Sequence, residues 1–189
     1  KHIKNVLRKQ IGDILEICNQ ETGENYKCEI TKIKEQEITN SIIEEIPSVE
    51  DKIKVDIYQG LPKADKMELI IQKSIELGVN AIIPVEMKRC VVKLDSKTET
   101  KKIERWQKIA ESAAKQSGRN TIPEIRHLIK VEDIIKLKND YDSIIVCYEN
   151  EKENYIKNEL LKLKSKQELK IAIVIGPEGG LEEKDVEYL

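Results

Sequence analysis

The stretch Ile171-Ala172-Ile173-Val174-Ile175-Gly176-Pro177-Glu178-Gly179-Gly180 decides the fold class. Five consecutive apolar residues leave the segment no polar face, so it reads as a strand covered on both sides, in the middle of a parallel sheet. The glycine-rich turn follows at once, and Leu181 to Leu189 then shows a helical pattern. A loop at the carboxyl end of a buried parallel strand is where open α/β sheets bind ligands. Glycines also let main-chain N–H and C=O groups approach a flat ligand closely. The Gly-Lys-Ser/Thr ending of a phosphate-binding P-loop is missing, as is the G-x-G-x-x-G spacing of a dinucleotide site. This argues against a nucleotide-phosphate enzyme. On its own the turn reads equally well as a structural one.

Working outward, Ile144-Ile145-Val146-Cys147-Tyr148 is a second strand of the same apolar kind, also expected inside the sheet. Lys54 to Tyr58 and Ala81 to Val85 are further strands. Asp65-Lys66-Met67-Glu68 has the form of a capping box opening a helix. Met67, Ile70, Ile71, Ser74 and Ile75 line one face of that helix, and Gly78 suits its C-terminal cap. Thr98 to Ser117 is a long helix with Ile103, Trp106, Ala110, Ala113 and Ala114 inward and a lysine-rich outer face; Asn154 to Leu163 is another helix. Residues 51–189 are therefore an α/β domain.

Residues 1–50 differ. His2 to Arg8 is a short helical lead-in. Ile14 to Cys18, Tyr26 to Ile30 and Ile38 to Ile46 are strands, Glu21 to Asn25 is a turn, and Pro47 to Asp51 is a linker. This is a small hairpin-rich module with little core of its own.

Composition fits a two-domain chain of 189 residues, with 39% hydrophobic and 36% charged residues. Apolar runs are far shorter than the ~20 residues of a membrane helix. Lys1 to Arg8 is charged and no small-residue cleavage site follows, so no secretory leader is expected. Cys18, Cys28, Cys90 and Cys147 contain no C-x-x-C pair; they read as free buried thiols of a cytoplasmic protein, with no metal site. Neither His2 nor His127 sits in a nucleophile–base arrangement.

The net charge of −2 hides a basic middle. Residues 51–130 hold 17 Lys and Arg against 11 Asp and Glu, a balance of +6, while residues 1–50 carry −3 and residues 131–189 carry −5. Such a segment suits an anionic partner. Arg89 and Arg119 stand at element ends where a planar guanidinium fork can meet phosphate or a base edge. Lys63 and Lys66 follow the first α/β strand, although Asp65 and Glu68 there have a capping task. Tyr148 and Glu149, closing the second apolar strand, either line the same crevice as the glycine turn or simply reach solvent.

Taken together, the segments His2 to Arg8, Leu61 to Val79 (LPKADKMELIIQKSIELGV), Glu86 to Leu94 (EMKRCVVKL), Arg105 to Ile125 (RWQKIAESAAKQSGRNTIPEI) and Ile175 to Gly180 (IGPEGG) resemble the RsmE family of 16S ribosomal RNA methyltransferases, in the SPOUT superfamily. The resemblance implies an α/β SPOUT domain with a trefoil knot over residues 51–189, preceded by a small PUA-like β-barrel over residues 1–50. It implies S-adenosyl-L-methionine as cofactor, 16S rRNA or the small ribosomal subunit as partner, a homodimer, and methylation at N3 of a uridine. Ile175, Gly176, Pro177, Glu178, Gly179 and Gly180 would form the cofactor loop, flanked by Tyr148 and Glu149. Arg8, Lys63, Lys66, Arg89, Lys93, Arg119 and Asn120 would face RNA. Arg89 or Arg119 would stabilise the uracil anion, and Glu178 would orient the cofactor or relay a proton.

Ala64 departs from the glycine usual in the family, which implies a slightly stiffer loop. The family also continues past this point to a strand and a Leu-Arg-x-Glu-Thr-Ala segment that completes the knot. Both domains are therefore expected to be incomplete in this sequence, one at each end, with part of the cofactor pocket missing and the stretch inactive alone. The competing reading is a non-catalytic RNA-binding protein that uses the same basic face.

Overall fold

The computed structural model describes residues 2–163 and 168–189 except 20, 21, 36, 49 and 51. Glu21 of the expected turn and Val49 and Asp51 of the expected linker lie outside the described residues. The chain divides into two compact units, Lys1–Glu50 and Asp51–Leu189.

In the first unit, β1 (Ile14–Cys18), β2 (Asn25–Ile33) and β3 (Ile38–Ile46) form an antiparallel sheet in that order. Cys28 and Ile30, two residues apart and so on one face, are buried. Register shifts at Lys27/Cys28 and Ile30/Lys32 bend the β2–β3 pair. Gly12 N–H donates to the Ile30 carbonyl at 2.8 Å and Ile30 N–H to the Asp13 carbonyl at 2.9 Å, tying the turn before β1 to β2. The lead-in, His2–Val6, is a single π-helical turn. Ile14, Ile42 and Ile43 stay exposed, because three strands cannot cover both of their own faces.

The second unit is built on β4 (Ile53–Gly60), β5 (Ala81–Glu86), β8 (Ser143–Cys147) and β9 (Leu169–Ile175), with two-residue strands β6 (Glu124–Ile125) and β7 (Ile129–Lys130) beside β5. The sheet order is β6-β5-β4-β9-β8, and every pair is parallel. The connecting helices are α1 (Lys66–Glu76), α2 (Ser96–Gln116), the short α3 (Val131–Ile134), α4 (Ile156–Leu163) and α5 (Glu183–Glu187). Tyr58, Ile71, Ile75, Ile82, Trp106 and Val174 anchor one core between sheet and helices. From β4 the chain moves to β5 on one side, and it later returns to β9 on the other. The β4–β9 junction is thus a switch point, with its crevice beyond Gly60 and Ile175.

Three local expectations need correction. Among the described strands the one at Ile144 to Cys147 is the last in its sheet, not a central one, and only Ile145 in it is buried. An apolar run shows that a strand can be covered, not which neighbour covers it. For the same reason Cys147 is exposed and Cys18 half-buried, while Cys28 and Cys90 are buried as expected. The capping box at α1 does not form. Asp65 has φ −92° and ψ 9°, not the extended backbone that aims an N-cap side chain, and it makes no cap bond. Glu68 instead pairs with Arg105 of α2 at 2.8 Å. The other end of α1 closes as read: Gly78 takes φ +99°, and Val79 N–H reaches back to the Ser74 carbonyl at 3.0 Å.

Candidate functional site

Four parallel strands deliver four loops to one end of the sheet, and the glycine turn after β9 lies among them. Its shape follows from what it excludes. A Cβ on Gly176 would stand 2.9 Å from the carbonyl carbon of Gly180, so the turn folds back on itself only with glycine there. Gly180 has φ +72°, which disfavours a side chain, closes the turn by donating its N–H to the Pro177 carbonyl at 2.9 Å, and has the mobile end of the Glu149 side chain packed against it. Pro177 presses on the end of β4 so closely that a Cβ on Gly60 would come within 2.7 Å of its ring. The buried Gln59 side chain donates to the Gly176 carbonyl at 3.2 Å and to the Gly60 carbonyl at 3.0 Å. Leu181 is buried and anchors the far end. The turn is therefore stiff.

Its two exposed central residues make the polar contacts. Both Glu178 oxygens accept from the Lys63 backbone N–H, at 3.0 and 3.2 Å, and Oε1 lies 3.0 Å from the Lys66 ammonium. Hydrogen bonding from its own backbone N–H, then the Lys66 ammonium and the Lys63 N–H, hold the Glu178 carboxyl below the usual carboxylate range. The Gly179 carbonyl accepts from Arg89 Nη1 at 2.7 Å. The same Arg89 nitrogen lies 3.7 Å from Glu149 Oε1, and Leu181 N–H points at Glu149 Oε2 at 3.5 Å. Tyr148 is half-buried next to Glu149, its hydroxyl accepting from Asn150 at 3.0 Å. In the Leu61 loop, Ala64 sits at φ +52°, the left-handed region where a side chain costs energy and glycine does not.

Lys63, Lys66, Arg89, Glu149 and residues 175–180 are thus gathered at one place. Three residues of the same unit expected to face RNA are not gathered with them. Arg119 turns inward and donates to the Val79 carbonyl at 2.7 Å and the Ile75 carbonyl at 3.3 Å. There its cation meets carbonyls at and just beyond the C-terminal end of α1, where positive charge is favoured, a structural task. Asn120 is 2% exposed, so it offers no surface to an external chain. Both were assigned outward because a helix end followed by glycine looked like a projecting loop, and the adjacent α1 terminus was invisible in the sequence. Lys93 is exposed but lines a separate cleft of about 370 Å³ with Lys88, Lys130 and Lys184. Arg8 is exposed in the first unit, at φ +52°.

A second polar cluster went unread. Asp56, in the middle of β4, is completely buried and accepts from the Asn80 amide at 2.6 Å and the Tyr141 hydroxyl at 2.7 Å. Tyr141 has then used its proton, so it accepts from Tyr58 at 2.8 Å. Arg126 Nη1 lies 3.8 Å from Asp56, and Lys170 Nζ lies 4.0 Å away. Burial, followed by these two hydrogen bonds, pushes the Tyr141 hydroxyl far above the ordinary tyrosine range. The signal was available: a carboxylate inside an apolar strand must have partners. Among the described residues no cluster of three or more metal-ligating side chains occurs. No described helix is long and apolar enough to cross a membrane.

Residues 49–189 match the model of an RNA methyltransferase domain, and residues 1–43 match that of an RNA methyltransferase PUA domain. The sequence is 40% identical to the ribosomal RNA small subunit methyltransferase E of Bacillus subtilis (strain 168), covering 100% of this chain and 74% of that protein. It is 29% identical to the enzyme of the same name from Rickettsia conorii, covering 100% of this chain and 72% of that one. The crystal structure of a ribosomal RNA small subunit methyltransferase E from Neisseria gonorrhoeae bound to S-adenosyl methionine superimposes with a TM-score of 0.73. That pair is 26% identical over 99% of this chain and 74% of that one.

Proposed function

The chain belongs to the ribosomal RNA small subunit methyltransferase E family, and from that premise we propose how its own residues serve the family's reaction. The activity is S-adenosylmethionine-dependent methylation of 16S ribosomal RNA of the small subunit. Our reading puts the new methyl on ring nitrogen 3 of a uridine and the work in the cytoplasm. The observation that carries the site is the stiff glycine turn at the switch point, bare of side chains at Gly176 and Gly180 and bordered by Lys63, Lys66 and Arg89.

The turn fits an adenosyl donor. Close packing at Gly176 and the positive φ of Gly180 fix the main chain of the turn, and its exposed Glu178–Gly179 segment, with Ile175 and Pro177 beside it, offers peptide groups to a flat ring. Tyr148 and Glu149 flank it, and the Glu149 carboxylate suits a hydroxyl or ammonium group. When bound, S-adenosylmethionine supplies an electrophilic methyl group. The remaining chemistry belongs to the chain. N3 lies on the pairing edge of uracil, so the base must be unpaired or flipped out. Its N3–H is a weak acid that gives its proton to solvent water, and the guanidinium of Arg89 stabilises the anion that remains. Lys63, Lys66 and Lys93 hold backbone phosphates, with salt-sensitive affinity. Glu178, ionised and already held by lysines, is a poor proton acceptor, so we assign it to orientation. Arg119, bound to the end of α1, supports this arrangement from behind instead of touching the base.

Residues 1–50 act as a PUA-like grip on RNA, Arg8 included, and residues 51–189 as the methyltransferase domain. The trefoil knot calls for one more strand, and the outer edge of β8 carries no strand among the described residues. A homodimer is the assembly we favour; Tyr155, Ile156, Leu160 and Leu161 on and beside α4 leave apolar surface open for such an association. The test is to incubate the intact protein with unmodified small subunits and S-adenosylmethionine, then digest the 16S RNA and look for N3-methyluridine by mass spectrometry. The wild type produces it, and Arg89→Ala lowers turnover by about 10²-fold. No methylated uridine from the wild type would end the functional reading; full turnover by Arg89→Ala would remove Arg89 from its role.

A further inference from the structure

Two consecutive residues of the glycine turn hold basic residues from two different strand ends. Glu178 holds the backbone of Lys63 and the ammonium of Lys66, from the loop after β4. Gly179 holds the guanidinium of Arg89, from the loop after β5. On the functional reading above, one face of this turn meets the methyl donor, and the basic residues meet RNA. We propose that Glu178 is a positioning residue that transmits occupancy of the methyl-donor turn to the RNA-contacting loop Leu61–Lys66, so that donor and RNA bind with positive cooperativity.

The loop between β4 and α1 is anchored at both ends and held in the middle by Glu178. Leu61 is buried and donates its N–H to the Val85 carbonyl at 3.1 Å, and Met67 is buried at the start of α1. Between these anchors Lys63, Ala64 and Asp65 are exposed, and Ala64 is in the left-handed region. That conformation is costly for alanine, so it persists only where neighbouring contacts impose it. The bonds from Lys63 N–H to Glu178, one residue away, are such contacts. The Lys63 ammonium makes no ion pair among the described residues, which leaves it available to a phosphate.

The other end of the connection is stiff. Gly176 and Gly180 are folded against each other, Pro177 is wedged on Gly60, and Leu181 is buried. A ligand seated on such a turn cannot be accommodated by one residue alone; the segment shifts or is stabilised as a unit. Glu178 carries that change to the Lys63 backbone and the Lys66 side chain, and the Gly179 carbonyl carries it to Arg89. Linkage then requires the effect to be equal in both directions. Product RNA would leave more readily after the donor has become S-adenosylhomocysteine only if that product holds the turn less firmly, which the same measurement reads.

The experiment measures RNA affinity of the intact protein by fluorescence anisotropy, using a labelled single-stranded 16S RNA fragment. Each titration is run without ligand, with saturating S-adenosylmethionine analogue (sinefungin), and with S-adenosylhomocysteine. The readout is the ratio of RNA affinities with and without ligand, so a change common to both cancels. The wild type shows a ratio of about five or more with sinefungin, the lower end of ordinary coupling. Glu178→Ala brings the ratio to within twofold of one. Glu178→Gln, which keeps an acceptor for the Lys63 N–H but loses the charge facing Lys66, retains part of it. A purely structural Glu178 would change thermal stability or both affinities and leave the ratio intact; that result overturns the proposal, as does a wild-type ratio of one. Failure of the wild type to bind either ligand in calorimetry would instead strike the functional reading on which the proposal rests.

Discussion

Two clusters of charge in the α/β unit use similar side chains to opposite ends. Around Asp56 a completely buried carboxylate is met by an amide at 2.6 Å and a hydroxyl at 2.7 Å, with Arg126 and Lys170 behind them. Around the glycine turn Glu178, Arg89 and Glu149 are largely open to water, and Arg89 and Glu149 meet only at 3.7 Å. A buried polar network is costly to break and holds one geometry. An exposed network is worth little as stability and can exchange partners when a ligand arrives. The comparison teaches that charge density alone does not mark the site. On the proposed reading, what marks it is charge that remains exchangeable beside a rigid turn.

The contrast can be broken most severely at its buried member. Asp56→Ala leaves the Asn80 amide, the Tyr141 hydroxyl and two nearby cations without their shared acceptor. It should cost about 3 kcal/mol of stability. Urea unfolding followed by circular dichroism reads this as a lower midpoint at unchanged slope, and a loss below 1 kcal/mol would show that the network is slack.

Gly180→Ala sharpens the other side. A side chain there meets positive φ and the Glu149 carboxylate together. The strain costs only about 1–2 kcal/mol in stability, whereas calorimetry with S-adenosylhomocysteine should show affinity falling about tenfold or more. If affinity holds while stability falls, the turn is a structural feature and not the donor site. The smallest effect is expected at Ala64, where φ is +52°. Ala64→Gly should raise stability by about 0.5–1 kcal/mol, seen as a rise of about 2 °C in Tm. No gain would mean that the loop relaxes around alanine without strain.

The main strands and helices of the α/β unit were legible because local pattern fixes them. The apolar run Ile171 to Ile175, the face Met67, Ile71 and Ile75, and the positive-φ cap at Gly78 each need only near neighbours in sequence. The glycine turn was legible too, since it needed only a buried strand before it. What went wrong depended on distant partners. Ile144 to Cys147 reads like a central strand, yet among the described strands it is the last in the order, which no local pattern sets. Arg119 looked outward, yet it serves the end of α1, 40 residues earlier at Val79. Glu178 was picked out, but its partner Lys63 is 115 residues away, so its orienting task could not be separated from proton relay.

The sequence by itself determined the α/β plan of residues 51–189, the β-rich start, the glycine turn and the family to which the chain belongs. Tertiary structure alone decided which basic residues meet that turn, which are spent on helix ends, and that Asp56 is buried within a complete set of partners. The physical reason is range. Backbone preference and hydrophobic period act over a few residues, whereas hydrogen-bond satisfaction and charge pairing are settled only when remote segments are brought within about 3 Å of one another.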